Sequence, residues 1–285
     1  MQGDTQTFEL IRLRFHFRAG GQLYFPPGKA GNTLRGAFGM MLRETAGAPD
    51  YARIFEPKAA GGPSGLADSP RPFVIRAAHL DGAAFKAGAG FDFDVHLFDL
   101  AVDRRPLFAA AFARLAQKGL GSGRAPAELL SVDRENVAIV FTGPPEPAAR
   151  VRVQFLTPTE LKSGQQLVTR PEFPVLFARL RDRISTLRTL YGPGPLDIDF
   201  RGMGERAARV TLARCDLAWH SAERRSSRTG QTHPLGGFTG EAEYDGDLGE
   251  FLPYLRAGQW TGVGRQTVWG KGQICFQPCS LRKRS

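Results

Sequence analysis

Cysteine is scarce: Cys215, Cys275 and Cys279 are the only three in 285 residues. Three scattered thiols cannot staple a small secreted fold, and they suit a reducing, cytoplasmic setting. Cys215, His220, Cys275 and Cys279 can be drawn together on paper as a zinc set. The paired Cys-x-x-Cys signature of a structural zinc module is missing, however, so the sequence asks for no metal, and it carries no cofactor motif either. No apolar run reaches the roughly 18 residues of a membrane span, and the polar start Met1–Thr7 does not read as an export signal. Acid is in deficit too, with 28 Asp and Glu against 38 Lys and Arg, a formal charge of +10. Much of that excess is arginine, which grips phosphate bidentately and stacks on bases. A polyanionic partner follows, nucleic acid first and an acidic membrane surface second. What is plentiful is apolar residue, at 42% with 10% aromatics, enough to bury a core.

The densest local signal lies near the end of the chain. In Gly262-Val263-Gly264-Arg265-Gln266-Thr267-Val268-Trp269-Gly270-Lys271-Gly272, two Gly-x-Gly pairs bracket a basic and aromatic segment. Glycine there lets backbone approach a ligand closely, with Arg265, Gln266 and Lys271 as donors to phosphate. The spacing excludes the familiar nucleotide loops. Five residues separate Gly264 from Gly270 and Gly272 follows the lysine, unlike a Walker loop, and position 267 is Thr, unlike the dinucleotide fingerprint.

Elsewhere the pattern repeats. Ile11–Arg18 alternates Ile11, Leu13, Phe15 and Phe17 with Arg12, Arg14, His16 and Arg18, a strand with one apolar and one basic face. The basic face is either a solvated surface or an RNA-facing sheet. Asn32 or Thr33 is placed to cap a helix through Leu34, Phe38 and Leu42, Pro106 opens a second helix that stops at Gly119, and Val137–Phe141 reads as a short last strand. Gly143-Pro144-Pro145-Glu146-Pro147 is the best boundary, dividing residues 1–145 from 146–285. Beyond it a strand at Val151, a helix over Pro174–Tyr191, strands near Val210–His220 and Gly236–Tyr244, a short helix and a last strand repeat the order. The fold class is α+β: two tandem ferredoxin-like, RRM-like βαββαβ domains. Between the middle strands of the second domain, Arg224–Thr232 is a loop dense in arginine and serine, suited to phosphate through Arg224, Arg225 and Arg228.

Leu34-Arg35-Gly36-Ala37-Phe38-Gly39, Gly119-Leu120-Gly121, Phe155-Leu156-Thr157-Pro158-Thr159, Arg225-Ser226-Ser227-Arg228 and the terminal Gly-x-Gly pairs together resemble the CRISPR-associated RAMP superfamily. Within it they most resemble the endoribonucleases of the Cas-six type, which process repeat RNA. The resemblance implies a shared cleft that grips CRISPR repeat RNA and cuts it without metal, the 2′-hydroxyl attacking the adjacent phosphate. It also implies that Gly262, Gly264, Arg265, Gln266, Gly270, Lys271 and Gly272 form the RNA-binding loop. The general base is left open between His16, Lys29 with Tyr24, and His233, because Met40 and Met41 stand where some relatives carry histidine. The alternative is a non-catalytic subunit that holds guide RNA beside other effector-complex subunits. No membrane is implied.

Overall fold

The computed structural model describes residues 6–57, 69–221, 223–225, 232–234 and 236–279, the segments 223–225 and 232–234 by backbone alone. The first unit runs β1 (Thr7–Ala19), β2 (Leu23–Tyr24), α1 (Ala30–Thr45), α2 (Ala48–Phe55), β3 (Phe73–Arg76), β4 (Ala84–Phe85), β5 (Gly90–Leu97), α3 (Arg105–Lys118) and β6 (Ala127–Val140). Its antiparallel sheet has the order β3-β5-β1-β6. The second unit runs β7 (Arg150–Thr159), β8 (Leu161–Ser163), β9 (Gln166–Val168), α4 (Phe173–Tyr191), α5 (Phe200–Ala207), β10 (Thr211–His220), β11 (Glu223–Arg225), β12 (Thr232–Pro234), β13 (Gly237–Asp245), α6 (Leu252–Thr261) and β14 (Ile274–Pro278). Its sheet order, β10-β13-β7-β14, repeats the first. In both, the strands that open and close the unit lie side by side, as two βαββαβ folds require. No helix among the described residues is long and apolar enough to cross a membrane.

β1 explains how the two units meet. Its odd positions Leu13, Phe15, Phe17 and Ala19 enter the first core, with Phe15 and Phe17 stacked on Phe93 of β5. On the opposite face, Phe8 and Leu10 are buried with Val74, Phe98 and Ile139 in the second core, together with Leu176, Phe177 and Leu180 of α4. Only beyond Leu10 does that face become the charged row Arg12, Arg14, His16 and Arg18. The first sheet is thus covered on one side by its own helices and, over part of the other, by those of the second unit.

Two expectations change. α1 begins at Ala30 with Lys29 as its N-cap, not at Asn32 or Thr33. The cap acceptor comes from elsewhere: Asp81 Oδ1 receives the Ala30 N–H at 2.8 Å. The last strand of the first unit is 14 residues long, not a short piece at Val137. Its polar composition suits an edge strand whose acids face the cations of β1.

The Leu34–Gly39 motif has a packing reason. Phe38 lies between Phe108 and Phe112 of α3, ring centroids 4.8 Å from each, and meets Phe73 edge-on. One residue on, the Phe55 ring of α2 lies against bare Gly39, where a Cβ would overlap it. Gly39→Ala is therefore expected to destabilise the fold by about 1–3 kcal/mol through overpacking. Chemical denaturation tests this, and an unchanged midpoint would mean that Phe55 yields freely.

Candidate functional site

The segment after α6 is shaped by its glycines. The chain leaves α6 at Gly262, passes through left-handed backbone at Gly264, Gln266, Gly270 and Gly272, and makes one tight turn over Thr267–Trp269. Gly272 combines φ +68 with the carbonyl of Val263 packed where a Cβ would stand, so no other residue fits. The ends of the loop are tied by Val263 N–H to Gly272 O (2.9 Å) and by Gly272 N–H to Pro158 O (3.1 Å). Arg265 binds the buried carboxylate of Glu160 at 2.7 Å and its N–H meets the Glu160 carbonyl. Arg265 is thus a structural tie as well as an exposed cation.

This loop enters both cores. Val263 belongs to the second and Val268 packs on the first. Gly270 lies against Gly31 backbone to backbone, in the first turn of α1, so close that a Cβ on Gly31 would meet Gly270 Cα at 3.1 Å. Lys271 follows, only 6% exposed. Burial lowers its ammonium pKa, and Asp81, the carboxylate at the head of α1, pulls the other way. Lys29, the N-cap of α1, is exposed, and Tyr24 is exposed in β2 nearby in sequence. Lys271, which feels Asp81, and Lys29, the N-cap, thus both neighbour the N-terminus of α1, a region suited to a phosphate.

The basic row of β1 is a different matter. Arg12 donates to Asp94 and Glu135, Arg14 to Asp94, and Arg18 to Glu128. His16 Nε2 lies 2.8 Å from Asp133. Burial raises the Asp94 carboxyl, but hydrogen bonds from Arg14 and Arg12 outweigh it and leave the pKa lowered. Cross-strand acids from β5 and β6 turn the row into an ion-pair ladder. Sequence reading missed this because the partners lie 80 to 123 residues away.

Of the remaining candidates, His233 stands opposite Arg224 in the β11–β12 pairing, and Arg225 opposite Thr232. Their side chains, and Arg228 altogether, lie outside the described residues. Among the described residues no three His, Cys, Asp or Glu side chains gather as a metal cage.

The sequence places His96, like His79, in what reads as ordinary sheet, below the candidate bases. His96 is buried at the seam, where its Nδ1–H donates to Trp260 O at 2.9 Å. Desolvation, and then the nearby Arg76 cation, push its pKa down to about 3. A histidine held neutral in the fold but titrating near 6.5 when unfolded contributes stability at neutral pH that is lost as pH falls below about 6.5. The difference in unfolding free energy between the wild type and His96→Gln is expected to fall by about 1.4 kcal/mol per pH unit between about pH 6 and 4. A difference independent of pH would mean His96 protonates freely in the fold.

Residues 153–274 match the family model of the CRISPR-associated endoribonuclease Cas6, and residues 8–150 match the AF_1859_N N-terminal domain. A CRISPR-associated endoribonuclease Cas6 of Mycobacterium tuberculosis is 27% identical over 186 residues, 63% of this chain and 55% of that protein. The chain therefore spans about half the length of the curated relatives it matches. Among solved structures, a Cas6 product complex aligns at TM-score 0.60 with 18% identity, over 95% of this chain and 100% of that one. Cas6 of Thermus thermophilus aligns at 0.55 with 16% identity, over 96% and 100%. A RAMP protein binding different RNA substrates aligns at 0.51 with 11% identity, over 94% and 99%. At such identities these structures speak for the fold alone.

Proposed function

We propose that the chain is a Cas6-type member of the CRISPR-associated RAMP proteins and an endoribonuclease that processes CRISPR repeat RNA. The observation that carries the reading is the seating of the glycine-rich loop, Lys271 included, against the first turn of α1, which Lys29 precedes as N-cap. Residues 1–145 and 146–285 are read as the two units that share this cleft, and the protein as a cytoplasmic one. The partner is repeat RNA, before and after cutting, with other CRISPR effector subunits as further candidates.

The chemistry needs no metal. The 2′-hydroxyl loses its proton to a base and attacks the adjacent phosphorus, while the bond to the 5′-oxygen breaks and an acid returns a proton to that oxygen. The products are a 2′,3′-cyclic phosphate and a 5′-hydroxyl. Cations stabilise the charge that gathers on the phosphoryl oxygens. Lys271 and Lys29 are assigned that role, and Tyr24 the proton transfer in the first loop. His16, oriented by Asp133, and His233 are the alternative bases. RNA contact is assigned to the loop from Gly262 to Gly272, through Arg265, Gln266 and Lys271, and to Arg224, Arg225 and Arg228. The ion-paired Arg12, Arg14 and Arg18 would contact RNA only by exchanging carboxylates for phosphates.

One observation favours a second reading, a subunit that binds guide RNA without cutting: α1 carries Met40 and Met41 and no histidine. Repeat RNA incubated with the protein in excess chelator separates the two. Cutting of all-ribose RNA, blocked by a single 2′-deoxy substitution at one position, is the expected result. Tight binding of intact RNA would favour the subunit instead.

Two variants refine the assignment. Lys271→Ala is expected to weaken binding to all repeat sequences and to reduce the slope of log K against log salt by about 0.7, the value for one phosphate contact on a single strand. Lys29→Ala is expected to slow single-turnover cutting of bound RNA by about 10²-fold. Equal rates in wild type and K29A would remove Lys29 from the chemistry.

A further inference from the structure

The last carbonyls of α6 are received by three side chains from two different units. Arg76 of β3 donates from Nη2 to Trp260 O at 3.0 Å and to Gln259 O at 3.3 Å. His96 of β5 donates to the same Trp260 carbonyl, and its ring lies 4.9 Å from the Trp260 ring. Arg183 of α4 donates to Thr261 O at 3.0 Å. The next residue is Gly262, where the loop starts, and a Cβ there would approach Arg76 Nη2 at 3.3 Å.

The chemistry of this cap is unusual. Arg76 is 5% exposed, yet no carboxylate pairs with it and its Nε and Nη1 have no hydrogen-bond partner among the described residues. Burial, and then repulsion from Arg183, lower its pKa to about 9, against the pull of Asp94. Burial lowers Arg183 to about 10. Two desolvated guanidinium groups so near each other are costly in isolation. Their compensation here is the negative end of α6, whose last carbonyls have no partner within the helix. The cations therefore need the helix end, and the helix end fixes where the loop begins.

We infer that Arg76 is a positioning residue for RNA binding: it clamps the end of α6 to the first sheet and so holds the glycine-rich loop in its ligand-ready shape. Arg183 sets the same helix end from its own unit. The inference rests on the RNA-binding reading of the loop, but the clamp itself can be tested without RNA. Arg76 touches no ligand in this account. Its effect on RNA passes through the backbone of Gly262–Gly272.

The test is Arg76→Met in the full chain, with two readouts. Hydrogen exchange of the Val263, Arg265, Trp269, Gly270 and Gly272 amides is expected to quicken at least ten-fold, while amides of α3 keep their protection. Repeat-RNA affinity is expected to fall at least ten-fold with an unchanged salt slope, because no phosphate contact has been removed. A salt slope reduced by one contact would make Arg76 a direct phosphate ligand and overturn the inference. Equal loss of protection in α3 and the loop would make it a general stabiliser, and unchanged loop exchange would leave no clamp; each overturns the inference. Should R76M fail to fold, Arg76→Lys, which keeps the charge with fewer donors, is judged by the same two readouts and expected to fall between. If the wild type binds no repeat RNA, the RNA reading fails and the exchange result alone decides the clamp.

Discussion

Everything in this molecule hangs on how one sheet face is shared. The outer face of the first sheet is neither free surface nor ordinary core: Phe8, Leu10, Val74 and Phe98 are buried under the second unit, and charged residues continue where that cover ends. This divided face fixes the second unit's helices on the first sheet. α6 then terminates against Arg76 and His96, and the loop that follows has one place to go, down against β3 and the first turn of α1. The candidate site is therefore a product of the seam, and either unit alone would expose a large apolar patch and lose the loop's seat.

Charge works differently at the surface and at the seam. On β1 the cations meet acids across the strands, pairs that are partly exposed and worth about 0–1 kcal/mol each. They set the character of the face more than they hold the fold. At the seam the cations meet helix carbonyls, out of water and without carboxylates. There a lost partner leaves a buried charge unpaired, which is far more costly than losing a surface pair. The 38 Lys and Arg thus overstate how much free cation faces a ligand, since many are paired with acids, and the net charge of +10 is the excess that such pairing leaves.

The two ferredoxin-like units were legible because their signals are local. Alternation in β1, the helical spacing of Leu34, Phe38 and Leu42 and the glycine stop at Gly119 all act within a few residues. The loop Gly262–Gly272 was legible for the same reason, since its glycines mark left-handed turns. What the sequence could not show depends on distant partners. The cap of α1 comes from Asp81, the carboxylates on β1 come from β5 and β6, and Arg76 meets α6 some 184 residues away. β6 was underread because an exposed edge strand needs no apolar alternation. His96 looked like ordinary sheet, and only the seam made it a buried cap.

The most direct test of the central claim is to map where RNA lies. Photo-crosslinking of repeat RNA to the full chain, followed by peptide sequencing, assigns contacts without assuming cleavage. Crosslinks are expected in the segment from Gly262 to Gly272 and around Lys29 at the head of α1. Crosslinks confined to the β1 ladder or to the exposed edge of β6, with none in the loop, would contradict it.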